Sequence, residues 1–97
     1  MRPEQLKGLP GAEIVLPGLA DLDSGRTTID SLAVQTAAPR LRRLGLSATS
    51  APDDAPAAHV LYERLNEELG DAAHSRYNAI LQRVASFAGA VEIAQRR

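Results

Sequence analysis

The stretch that decides the fold is Tyr77-Asn78-Ala79-Ile80-Leu81-Gln82-Arg83-Val84-Ala85-Ser86-Phe87-Ala88-Gly89-Ala90-Val91-Glu92-Ile93-Ala94, in which only Arg83 and Glu92 carry formal charge. Tyr77, Ile80, Leu81, Val84, Phe87, Ala88 and Val91 recur at alternating three- and four-residue spacings, which places them on one face of a helix. The opposite face carries Ala79, Ser86, Gly89 and Ala90, small residues that let another backbone come close. A helix so poor in charge on every side belongs inside something. The spacing therefore predicts a long C-terminal helix, over about 72–95, that completes its burial against a partner.

Working outward, the 97-residue chain is one domain. A chain of this size buries roughly 60–65% of its unfolded surface. Its core is light: three aromatics (Tyr62, Tyr77, Phe87), no Trp and seventeen alanines. Large side chains contribute about 1.5–3 kcal/mol each when buried, and Ala far less. This composition favours stabilisation by a bound partner or by homo-oligomerisation.

Composition also excludes several function classes. A formal charge of −1 creates no global field for nucleic acid or anionic membrane. The absence of Cys removes disulfides, thiol nucleophiles and most structural zinc sites. Met1-Arg2-Pro3-Glu4 leads into no long apolar run, so no signal peptide is read. Asn78, Gln82, Arg83 and Glu92 interrupt the best candidate for a membrane span. The expected setting is cytoplasmic.

In chain order, residues 1–9 read as a loose polar segment and Pro10-Gly11 as a turn. Ile14, Val15, Leu19 and Leu22 share one helical face over about 11–24, where Pro17 predicts a kink or a restart. Gly25 suits the left-handed position after that helix. Thr27 with Asp30 three residues on reads as a capping box. The helix it opens spans 28–38 and runs into a second, 39–45, begun by Pro39. Residues 47–56, rich in Ser, Ala, Asp and Pro, read as an internal linker loop. Leu61, Tyr62, Leu65 and Leu69 mark another helix over 57–69. Gly70-Asp71 then reads either as a corner, with Gly closing one helix and Asp capping the next, or as the interior of one long helix, each at a cost of up to about 1 kcal/mol; the corner is preferred because a hairpin buries the two apolar stripes on each other. The fold class is all-α, a small bundle of four to five helices.

The polar constellations point away from catalysis. His59 and His74 lack the third and fourth ligands that a metal site needs. Ser75 beside His74 points about 100° away from it on a helix, and no third orienting group is evident. Asp53-Asp54 and Glu67-Glu68 read as solvated charge, and there is no phosphate-binding glycine loop. Neither cofactor nor catalytic residue is expected. Arg40, Arg42 and Arg43 form the densest basic cluster, and residues 28–44 can be threaded as a helix-turn-helix with those arginines on a recognition helix. His74-Ser75-Arg76-Tyr77-Asn78 is the richest polar segment, and Arg and Tyr are the side chains most enriched at interface hot spots. The expected partner-binding residues are Arg76, Tyr77, Arg83, Val84 and Phe87.

Four segments, 18–28, 38–46, 71–79 and 84–87, resemble small helical actinobacterial proteins that act as antitoxins beside nucleotidyltransferase-type toxins. The resemblance covers roughly residues 9–92, and Pro17 departs from the family's first helix. It implies a non-enzymatic inhibitor that binds a toxin modifying tRNA ends and blocks its active site. No catalytic residues carry over. Operator DNA is the second partner in view, through Arg40, Arg42 and Arg43 in a helix-turn-helix regulator.

Overall fold

The structure, a computed structural model, describes residues 6–46 and 57–96, so the 47–56 linker reading lies outside the described residues. A turn of helix at Leu6 and Lys7 leads into five α-helices: α1 (Ala12–Asp23), α2 (Ile29–Thr36), α3 (Ala38–Arg43), α4 (Ala57–Leu69) and α5 (Ala73–Gln95). A 3-10 turn, Gly70–Ala72, joins α4 to α5. The described residues contain no strand, and the fold is all-α.

Local chemistry sets the boundaries. At the end of α1 the Arg26 amide donates to Asp21 O and the Gly25 amide to Leu22 O, the two bonds of a Schellman motif. α3 ends the same way, Leu46 donating to Leu41 O and Gly45 to Arg42 O. The capping box of α2 sits one residue later than the spacing suggests. Thr28 Oγ1 accepts from the Ser31 amide at 3.1 Å, and Ser31 Oγ accepts from the Thr28 amide at 2.8 Å. Thr28 wins over Thr27 because its hydroxyl also donates to Asp21 Oδ2 at 2.7 Å, tying the cap to α1. Pro39 occupies the first turn of α3, where its missing amide leaves no bond unmade. Pro17 does not break α1, which runs unbroken from Ala12 to Asp23. Pro17 and Glu13 are both exposed, so the carbonyl that loses its amide partner faces water.

The corner at Gly70 is real but is not capped by Asp71. Gly70 has φ +59, and the residue before α5 is Ala72, which offers no side-chain cap. The chain doubles back there, and the Tyr62 ring on α4 meets the Tyr77 ring on α5 with centroids 5.2 Å apart.

The core sits between these layers. Leu32, Ala33, Val34 and Ser31 are consecutive and all buried, because α2 packs against α1, α4 and α5 at once. Val15, Leu41, Leu61, Leu65, Ile80, Val84, Phe87, Ala88 and Val91 complete the cluster. Leu6 joins it at 8% exposure, which corrects the reading of a loose segment at that position. The apolar stripe of α5 is thus covered by the chain's own helices. Its outer face is not: Ser75, Ala79, Gln82 and Ser86 are exposed, and Ile93 is 56% exposed.

Two glycines let this light core close. A Cβ on Gly18 would lie 2.5 Å from Asp30 O, so α1 crosses α2 with backbone on backbone. A Cβ on Gly11 would lie 2.1 Å from Arg83 O, bringing the start of α1 against α5. In place of bulk, proximity fills the space.

Gly18→Ala forces these helices apart and should lower the urea midpoint markedly, although Ala is the better helix former. Phe87→Ala should cost about 3–5 kcal/mol in the same measurement, as expected for a fully buried ring.

Candidate functional site

An aromatic cluster at the α4–α5 hairpin is the most specific surface feature. Leu61 and Leu65 claim the inner face of α4, which turns Tyr62, Asn66 and Leu69 outward at spacings that put them on one flank. Tyr62 is 38% exposed and Leu69 44%. From α5, half-buried Tyr77 packs edge-on against Tyr62, and exposed His74 lies 6.4 Å from the same ring. His74 Nε2 is 3.3 Å from Asn78 Nδ2, one turn on, so this imidazole is oriented along the helix rather than toward Ser75. His59 instead pairs with Glu63 at 3.0 Å on the outside of α4.

The five residues expected at a partner interface divide into three groups. Arg76 is exposed and its charge acts on Asp30 at the start of α2, while Tyr77 is part of the patch. Arg83 is exposed but engaged, its guanidinium donating to Glu13 Oε1 from Nε at 2.8 Å and from Nη2 at 2.6 Å. Val84 and Phe87 are 1% and 0% exposed, and this corrects their assignment: they hold the core and no partner reaches them. The adjacent Tyr62 and Leu69 were the surface members to find. Their signal is that Leu61 and Leu65, four apart, already occupy the inward face.

The arginine cluster is built differently from a recognition helix. α3 has six residues, about 9 Å of helix, and Ala38 and Leu41 are buried in it. That is short for laying base-reading side chains along a major groove, in keeping with the 39–45 span read from the sequence. Arg40 Nη2 donates to Glu92 Oε2 at 2.9 Å, while Arg42 and Arg43 are exposed.

An open cleft of about 350 Å³ lies between the start of α2 and α4, lined by Thr27, Thr28, Ile29, Asp30, Arg64 and Glu68. Arg64 Nη1 donates across it to Thr27 O at 2.8 Å. Burial, and then the charge of Asp21, push the Asp30 carboxyl above the ordinary range, with Arg76 opposing. Glu13 and Glu92 shift the other way. Backbone amide donation and then the Arg83 guanidinium lower Glu13, and the hydrogen bond from Arg40 lowers Glu92.

No helix is long and apolar enough to cross a membrane among the described residues. No protein-family model, curated protein or solved structure matches the chain.

The Asp30 shift has a sign that can be checked. A raised folded pKa means that the folded chain holds the proton more tightly than the unfolded one, so stability falls as pH rises from 3.8 through the higher folded value. Asp30→Asn removes that loss. The variant should be more stable than the parent at pH 7 and equal to it at pH 3, in urea unfolding at both. Glu13 and Glu92 act oppositely, their stabilisation present above pH 4.5 and lost as pH falls through their lower folded values.

Proposed function

We propose that this chain is a non-enzymatic protein-binding module of the cytoplasm, an antitoxin that neutralises a nucleotidyltransferase toxin acting on tRNA. The observation that carries the binding reading is the Tyr62–Tyr77 pair with His74 and the exposed Leu69, a partly open apolar patch on the hairpin, with exposed Arg76 next to Tyr77 in the chain. Tyrosine and arginine join large contact area to directed hydrogen bonds, which suits them to the centre of an interface.

Charge narrows the kind of partner. The exposed carboxylates Glu63, Glu67, Glu68 and Asp71 lie on the same hairpin and outnumber the nearby Arg64 and Arg76, so this end of the molecule is net acidic. An acidic rim around an apolar centre is complementary to a basic face. An enzyme that handles tRNA needs such a face for its substrate's phosphates. Docking there would exclude the tRNA by occupying its electrostatic site. The toxin's identity as a nucleotidyltransferase rests on the resemblance of residues 18–28, 38–46, 71–79 and 84–87.

The test is co-expression with the product of the neighbouring gene, followed by co-purification and an assay of nucleotide transfer to tRNA. An equimolar complex with the transfer activity abolished is expected. Tyr62→Ala and Tyr77→Ala should each weaken the complex by more than about 1 kcal/mol in calorimetry. Unchanged affinity in both variants, with the helical circular dichroism intact, would remove the patch from the interface.

A further inference from the structure

The opposite end of the molecule carries a second surface, made by two helices that the chain brings together from far apart. The Gln95 amide donates to Leu44 O, and Arg40 reaches Glu92, so the end of α3 is pinned to the last turns of α5. This contact adds Arg96 to the cluster of Arg40, Arg42 and Arg43. Among the described residues, Arg40, Arg43 and Arg96 all act on the Glu92 carboxylate, and exposed Arg42 lies on the same short helix as two of them. Glu92 occupies Arg40 and leaves Arg42, Arg43 and Arg96 exposed. Glu92's lowered pKa, for which Arg40 is the main cause, with smaller pulls from Arg96 and Arg43, agrees with that clustering.

We infer that this corner is a phosphate-contacting surface for duplex nucleic acid, bound through the backbone and without base readout. Three features favour that ligand. First, the cations are all arginine, whose planar fork matches phosphate oxygens two at a time. Second, the charge is separated along the molecule. Ala73 and Glu92 are 19 positions apart on α5, about 28 Å at 1.5 Å per residue, so the acidic hairpin lies far from the basic corner. A chain of net charge −1 is then attracted end-on to a polyanion whose charges repeat every ~1.7 Å. Third, α3 is too short to read bases, so what the arginines offer is charge and geometry alone. An anionic membrane fits less well, because interfacial binding needs a continuous apolar face to insert and the strongly exposed apolar side chain near this corner is Ile93. This surface is separate from the Tyr62–Tyr77 patch and does not depend on the antitoxin reading.

The experiment is fluorescence anisotropy of the full chain with a labelled 20-base-pair duplex of arbitrary sequence, across salt. Three free guanidiniums predict a log–log salt slope near −2.7, a loss of about 40-fold in affinity from 50 to 200 mM. The triple variant Arg42→Ala, Arg43→Ala, Arg96→Ala should keep its circular dichroism, since all three side chains are exposed, and lose at least tenfold in affinity at 50 mM. Glu92→Gln, which frees Arg40 and removes the opposing carboxylate, should tighten binding severalfold. A second duplex of unrelated sequence should bind equally. The inference is overturned by no saturable binding at 50 mM salt, by a folded triple variant that binds like the parent, or by an unchanged Glu92→Gln. Equal or tighter binding to polyglutamate or to phosphatidylserine vesicles would overturn it as well.

Discussion

Backbone meeting backbone at Gly18 is the contact on which the rest of this structure depends. α1 approaches α2 so closely there that even one methyl group would strike Asp30 O. With a single Phe and no Trp, the chain cannot fill wide gaps between helices. It narrows them instead. Close approach brings Gly18 against Val34 in a core that also holds Val15 and the small Ala33, and dispersion gained over many atom pairs replaces the area that larger side chains would bury. The same logic applies at Gly11, where the first helix rests on the carbonyl of Arg83. A core poor in large residues is thus compatible with Phe87, Leu41, Leu61, Leu65 and Val84 all lying out of solvent's reach.

Much of the helical scaffold was legible in the residues because it depends on local periodicity. The α5 stripe, the Gly25 ending of α1 and the Pro39 start of α3 follow from neighbours a few positions apart. What could not be read depends on partners far away in the chain. Thr28 displaces Thr27 as the cap because Asp21 accepts its hydroxyl. Arg83 and Glu13 are 70 positions apart, and Arg40 and Glu92 are 52. No local pattern announces such pairs. Phe87 shows the limit most plainly: periodicity places it on an apolar face, but only the positions of the other helices reveal that this face is already covered.

The candidate surfaces follow from the same division. Leu61 and Leu65 take the core side of α4, so Tyr62 is left at the rim, where Tyr77 steadies it edge-on. At the far end, Glu92 and Gln95 fasten α3 to α5 through one ion pair and one amide bond. Because both partners of that ion pair are about 40% exposed, its worth lies in placing the guanidinium more than in stabilising the fold. Apolar contact thus dominates one end of the molecule and charge the other.

The covering of the core by α5 also bears on the order of events at the ribosome. The first helix finds its resting place on the backbone of Arg83 and the Cβ of Phe87, which are made more than seventy residues after Gly11. While the nascent chain is short, α1 and α2 can form their caps, yet one side of them stays wet and greasy. Closure waits for α5 to leave the exit tunnel, so the earlier helices cannot finish their packing until it has been made. A truncation that removes α5 therefore yields unfinished helices, not a smaller version of the same protein.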